Sequence, residues 1–442
     1  MHDLFGHKNK IFGLQRMIYQ DILPYSVSSL QRACDMFPRI LDIQARIKTR
    51  SALVLGPRQT GKSTLMRQTF GSHSLWIDLL NARTFQTLSY DLSAFEALVQ
   101  RYFAKSPKDS PIIIVVDEVA RLPKLLDSVH LLIEAEPRAR FILCSSSARR
   151  LKSQGSNLLG GRARLVKVFP LCFPEIKRSS DAPGFSTIDW RDLIRKSGLP
   201  SVVTSDEWED DLATYTDVYL REEIQQEAKM RNLDQFSRFL TVAAGVNGHQ
   251  IVFEKIGSKA GISAKVCKKY FELLSDTLVG DLLPSFKETV KRQPMSCPKF
   301  YLFDAGLARF LQGRQNSDPL DQGEDLETYI YHELKCYREY RRKKFEISYW
   351  RSKNQSEVDF IVSESIGGSS ARMRHLAIEV KTSRRITGSD FSGLRALAEE
   401  DLDLKKVLVN PNTLSRVTDD GIDVLSVDDF LEELWSDRML PS

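Results

Sequence analysis

The stretch that most constrains this chain of 442 residues is Ala52-Leu53-Val54-Leu55-Gly56-Pro57-Arg58-Gln59-Thr60-Gly61-Lys62-Ser63-Thr64-Leu65. It reads as a short apolar strand, a glycine loop and the start of a helix. The loop satisfies G-x-x-x-x-G-K-[ST] without a mismatch. Gly56 and Gly61 permit torsions and close approaches that a side chain would block. Successive backbone N–H groups then face one concavity and can hold phosphate oxygens. A helix beginning near Lys62 adds the positive end of its dipole. Lys62 brings a point charge to the β- and γ-phosphates, and the Ser63 hydroxyl suits Mg2+. Gly56 to Thr64 is therefore the expected cradle for ATP and Mg2+.

A second stretch strengthens this reading. Pro111-Ile112-Ile113-Ile114-Val115-Val116-Asp117-Glu118 is a continuous β-branched run ending in two carboxylates. A strand without polar alternation is buried on both faces, as in a parallel sheet. Its carboxyl end opens where ligands bind in such sheets. Asp117 is expected to hold the Mg2+ shell and Glu118 to polarise the attacking water. The competing reading makes the pair an acidic helix start and Lys62 a surface lysine. Two motifs in the correct order must then both be accidents.

The net charge of +5 permits nucleic-acid binding without demanding it. The cysteines Cys34, Cys144, Cys172, Cys267, Cys297 and Cys336 form no C-x-x-C pair and read as reduced thiols of a cytoplasmic protein. No apolar run is long enough to span a membrane. The first residues lack a signal-peptide core.

Along the chain, Leu14, Met17, Ile18 and Ile22, then Ile40, Ile43 and Ile47, recur at helical spacing. Residues 1–50 form a helical extension, and strand and helix alternate over 51–180. Arg140 to Ser147 is a buried strand ending in hydroxyls. Ser145 and Ser146 either sense the γ-phosphate or position water, or else cap the next helix. Arg162 and Arg164 follow Gly160-Gly161. Each is a candidate for a guanidinium supplied to a neighbouring subunit's nucleotide, or else a solvated arginine beside a turn.

Taken in order, Gly56-Pro57-Arg58-Gln59-Thr60-Gly61-Lys62, the Asp117-Glu118 strand, Phe141 to Ser147, Gly161-Arg162-Ala163 and Phe169-Pro170-Leu171-Cys172-Phe173 resemble a family of prokaryotic AAA-type ATPases. The C-terminal domain of that family is one of unknown function. The likeness runs from about residue 40 over most of the chain, and Tyr215 to Ile224 belongs to it. The resemblance implies ATP hydrolysis and an oligomer.

Residues 181–235 read as a polar helical connector, opened by the linker Asp181-Ala182-Pro183-Gly184. Residues 236–323 read as a winged helix. Its third helix is capped by Ser263 and turns Val266, Tyr270 and Leu273 inward. Lys265, Lys268 and Lys269 form its exposed face, and Lys287, Lys291 and Arg292 follow a wing strand. Such a helix suits DNA phosphates. The competing reading is a protein-docking winged helix with solvated lysines.

Residues 324–442 form the last module. Side chains alternate along a strand, so Glu379 and Lys381 of Leu376 to Lys381 share a face. A hairpin through Gly367-Gly368 can bring Asp359 beside them. Two carboxylates can hold Mg2+ while a lysine stabilises charge in phosphodiester cleavage. Glu333, on the preceding helix, is a further candidate ligand. Asp359 and Glu379-x-Lys381 resemble the PD-(D/E)XK restriction-endonuclease-like superfamily. A salt-bridged strand pair, or a domain that binds DNA without cutting it, remains open.

The chain is thus expected to be α/β: a P-loop ATPase domain with a parallel sheet, a winged helix and a restriction-endonuclease-like domain. The expected function is an ATP-dependent DNA-binding protein acting on duplex or branched DNA in repair, recombination or defence, as a homo-oligomer away from membranes. The alternatives are an ATP-gated metal-dependent nuclease and a nucleotide-controlled remodeller of proteins.

Overall fold

Five aliphatic runs become one parallel sheet: β1 (Ser51–Leu55), β2 (Ser74–Asp78), β3 (Ile112–Asp117), β4 (Ala139–Ser145) and β5 (Ala163–Lys167). The computed structural model describes residues 37–147, 149, 151, 159–180, 188–220, 233–289, 291–292, 294–366 and 372–439. The expected helix around Leu14 to Ile22, the linker at 181–184, residues 221–224 and Gly367-Gly368 lie outside the described residues. The chain divides into two compact units, Met1–Phe169 and Pro170–Ser442. The helix Phe173–Ser180, which the sequence reading put with the ATPase domain, belongs to the second unit.

Strand order in the first unit is β2-β3-β4-β1-β5. β1 is buried along its whole length and β3 at five of its six residues, as their unbroken apolar runs require. Leu55 lies level with Ser145 on β4 and Lys167 on β5, and Asp78 lies level with Asp117. The carboxyl ends of these strands therefore open along one edge of the sheet. The helix Lys62–Phe70 rises from that edge and buries Leu65, Met66 and Phe70.

In the second unit, the helices Leu233–Ala244, Phe253–Ala260 and Ala264–Asp276 share a core with the antiparallel pair β6 (Gly280–Leu283) and β7 (Lys299–Leu302). Phe271 is buried in it, edge-on to Phe239 at 5.0 Å and to Phe300 at 4.8 Å between ring centroids. Gly261, at φ 68°, ends the middle helix in a left-handed turn. The Ser263 hydroxyl then accepts from Val266 N at 3.3 Å and starts the next helix. A Cβ on Gly257 would lie 2.8 Å from Ile262 O, so only glycine lets the turn fold back this closely.

The chain between β6 and β7 does not form a free basic wing. It runs along the next sheet, where Phe286 N donates to Tyr349 O and Met295 N to Arg351 O. Arg292 donates to Ala396 O at 2.6 Å and pairs with Glu399 at 2.8 Å, and Lys291 Nζ donates to Glu399 O. These two basic residues are occupied by the protein itself. That sheet has the order β12-β13-β11-β10-β9-β8, with β8 (Phe345–Arg351), β9 (Glu357–Ile366), β10 (Arg372–Val380), β11 (Asp403–Val409), β12 (Arg416–Val417) and β13 (Asp423–Leu425). It is mixed: β8, β9 and β10 pair antiparallel, and β11 runs parallel to β10 and β13. The helix Gly323–Tyr340 is largely buried beside it. No described helix is long and apolar enough to cross a membrane.

Candidate functional site

The loop after β1 is held open as a cradle by backbone geometry. A Cβ on Gly56 would lie 2.2 Å from Val168 O, which no side chain tolerates. Gln59 and Gly61 both take positive φ, 61° and 83°. Lys62 is only 6% exposed and curls back over the loop, donating to Gly56 O at 2.7 Å and Pro57 O at 2.8 Å. Its ammonium thus sits at the mouth of the concavity. Ser63 hydrogen-bonds the Asp117 carboxyl, which is the hydroxyl–carboxylate pair a Mg2+ ion bound with phosphate needs. Burial raises the Asp117 carboxyl above its ordinary range, and the Ser63 bond opposes that rise. Glu118 follows at φ 53°, a strained left-handed conformation for a non-glycine residue. These residues fit a nucleotide-bound Mg2+.

Ser145 lies at the end of β4, between the loop strand and the acidic strand. Its hydroxyl donates to Ser147 O at 2.9 Å and accepts from Ser147 N at 3.1 Å. Arg162 lies away from the phosphate loop of its own chain. It precedes β5, whose first residue Ala163 pairs with Ser51, whereas the phosphate loop follows Leu55 at the other end of β1. Four residues of strand span about 13 Å. Arg162 instead pairs with Glu134 at 2.5 Å, and Arg164 donates to Arg46 O.

Arg39 carries no motif and is absent from the sequence reading. Its guanidinium donates to Thr60 O in the loop at 2.8 Å and to Phe169 O at 2.7 Å. It clamps the phosphate loop against the strand that leaves the sheet.

Lys265, Lys268 and Lys269 are all exposed in the first turns of the helix Ala264–Asp276. Their i, i+3, i+4 spacing puts them on one face.

The last sheet does bring Asp359, Glu379 and Lys381 together. Ile378 pairs with Phe360 across antiparallel β9 and β10, so the next pair outward sets Glu379 against Asp359 on one face. Val380 N donates to Asp359 Oδ2 at 2.9 Å, and Lys381 Nζ lies 2.5 Å from Glu379 Oε1. Two features differ from expectation. Glu333 is not among the groups around Glu379: it is buried, accepting from Phe173 N and Trp435 Nε1 at 2.8 Å each, and burial lifts its carboxyl to about 7. Glu327 acts on Glu379 in its place. The two lie six residues apart, about 240° around the helix, so they cannot share a face. Glu327 accepts from Tyr301 OH at 2.9 Å, and burial with the nearby Asp359 lifts it to about 8.

The second difference is a lysine. Lys299, 4% exposed in its side chain, lies 2.6 Å from Glu357, 3.4 Å from Asp359 and 3.7 Å from Glu327. Among the described residues, no group of three or more His, Cys, Asp or Glu side chains is arranged to hold a metal ion. The acidic cluster therefore does not fit the metal expected there.

Residues 48–177 match the family model described as AAA domain. Residues 48–177 are thus similar to an AAA-type P-loop domain. Residues 187–318 and 322–430 match two further models, each described as a domain of unknown function (DUF8612 and DUF4143). The chain is 26% identical over 323 residues to an uncharacterized protein of Mycobacterium tuberculosis, covering 71% of this chain and 67% of that protein. An uncharacterized protein of Haemophilus influenzae is 22% identical over 399 residues, 86% of this chain and 93% of that one. Among solved structures, the Aeropyrum pernix Orc1 protein in complex with DNA matches at TM-score 0.27 and 14% identity, over 68% of this chain and 94% of that one. The C. elegans PCH-2 structure matches at TM-score 0.21 and 14% identity, over 60% and 67%.

Proposed function

We propose that this chain is an ATP-dependent DNA-binding protein in which ATP hydrolysis at the P-loop is coupled to DNA engagement. The observation that carries the reading is the meeting of Lys62, Ser63 and Asp117 at one sheet edge. Phosphate oxygens exchange for the Gly56 and Pro57 carbonyls as partners of Lys62. Ser63 and Asp117 would hold Mg2+, which neutralises charge between the β- and γ-phosphates. Glu118, at the strand end, orients the attacking water. Arg162 reaches the nucleotide of a neighbouring copy in a homo-oligomer.

Residues 233–302 act as a winged helix, and Lys265, Lys268 and Lys269 meet DNA phosphates from one exposed face. Phosphate contacts give affinity without sequence choice, which suits a protein that acts on duplex or branched DNA in repair, recombination or defence. The nuclease-like last module binds and does not cut, because Lys299 stands among its carboxylates. Two sets of variants test the reading. Lys62→Ala should abolish most ATP binding, and Glu118→Gln should keep binding while slowing turnover. Replacing Lys265, Lys268 and Lys269 together by Ala should weaken DNA binding and flatten its salt dependence by about one unit of slope per lost phosphate contact. ATP turnover intact in both P-loop variants sinks the ATPase assignment. An unchanged salt slope favours a protein target instead.

A further inference from the structure

The acidic cluster of the last sheet is built around a cation that comes from outside that sheet. Lys299 opens β7, the strand paired with β6, and its neighbours Phe300 and Tyr301 are fully buried. Gly248 N donates to Phe300 O at 2.8 Å and Leu302 N to Asn247 Oδ1 at 2.8 Å, so the backbone that carries Lys299 is fixed. Its ammonium offers three donors and one positive charge. It forms ion pairs with Glu357, Asp359 and Glu327, at 2.6, 3.4 and 3.7 Å.

Three cations already stand among four carboxyl groups. Four carboxyl groups, Glu327, Glu357, Asp359 and Glu379, face the ammonium groups of Lys299 and Lys381. The Arg351 guanidinium adds a third cation, 3.3 Å from Glu357. A divalent ion would need the same oxygens at about 2.0–2.6 Å. Glu379 is 5% exposed and its Oε2 has no hydrogen-bond partner, so one ligand atom stands ready. A metal ion would have to displace the Lys299 ammonium, which already lies within 4 Å of Glu357, Asp359 and Glu327.

We infer that Lys299 is a built-in cation that closes this acidic site to divalent metals. The module then keeps Asp359, Glu379 and Lys381 together, with the Lys299 ammonium 3.4 Å from Asp359. The inference is independent of the P-loop reading, because it concerns residues of the second unit only. Removal of the ammonium turns the closed cluster into a metal site.

Mn2+ binding to nucleotide-free full-length protein, followed by electron paramagnetic resonance, tests this. The unsubstituted chain should show no saturable binding up to millimolar Mn2+. Lys299→Met should gain one Mn2+ per chain, and adding Asp359→Asn should remove it. One Mn2+ per unsubstituted chain, lost in Asp359→Asn, overturns the inference. So does a folded Lys299→Met protein that gains no site. If Lys299→Met does not fold, melting of the unsubstituted protein decides alone. Its Tm should not move with Mn2+, since only a bound ligand shifts unfolding. A rise in Tm with Mn2+ that Asp359→Asn abolishes refutes the closure.

Discussion

Arg39→Met should loosen the phosphate loop without touching any residue of the loop itself. The guanidinium makes two charge-assisted hydrogen bonds, to Thr60 O and Phe169 O. Methionine keeps much of the apolar stem and deletes both donors. Bonds to a charged group contribute about 1.5–3 kcal/mol each. Arg39 is half-buried, so the lower figure applies and the first unit should lose about 3 kcal/mol of stability. Only the Thr60 bond acts on the cradle, which bounds the effect on ATP affinity at about 1.5 kcal/mol, or roughly tenfold. Titration of a fluorescent ATP analogue reads that loss directly, and thermal melting reads the stability term. Arg39→Lys should recover part of it, since an ammonium can meet one carbonyl but not span both. A dissociation constant for Arg39→Met within twofold of the parent, with Lys62→Ala abolishing binding in the same assay, would refute the clamp.

Two further outcomes follow from the geometry. Gly56→Ala should eliminate ATP binding while leaving the chain folded around its sheet, because the new Cβ would meet Val168 O at 2.2 Å and force the loop outward; circular dichroism beside the same titration checks it. The pH dependence of stability carries a sign. Burial lifts Glu333 to about 7 and Glu327 to about 8, above the ordinary range that the unfolded chain recovers. Between roughly pH 4.5 and those values the native state holds protons that the unfolded state releases, so their contribution falls as pH rises. Urea unfolding from about pH 5 to pH 8 should show Glu333→Gln losing part of that downward slope relative to the parent. An identical or steeper slope in the variant contradicts the burial argument.

Much of this protein is legible in its sequence because the relevant chemistry is contiguous. Gly56 to Ser63 carries a loop, a charge and a hydroxyl in one short run, and the unbroken apolar run before Asp117 marks a strand buried on both faces. Glu379 and Lys381 share a face by alternation alone, and the hairpin partner Asp359 follows from strand order. Ser263 reads as a cap and Gly261 as a turn from residue type and position. These features depend on backbone periods that every chain obeys.

Tertiary structure decided what stands next to those motifs. Arg39 reaches Thr60 across 21 residues and Phe169 across 130. Lys299 reaches Asp359 across 60 residues, from a strand of a different sheet. Glu327 replaced Glu333 because six positions on a helix turn a side chain to another face. Arg162 fell at the far end of its sheet because β5 runs parallel to β1, a pairing that no local pattern records. A cation's role depends on which carboxylates packing brings within about 4 Å, and the electrostatic gain grows as water is excluded. Sequence therefore determined the nucleotide cradle and the carboxylate pair, while packing decided which cation fills the acidic site and which arginine clamps the loop.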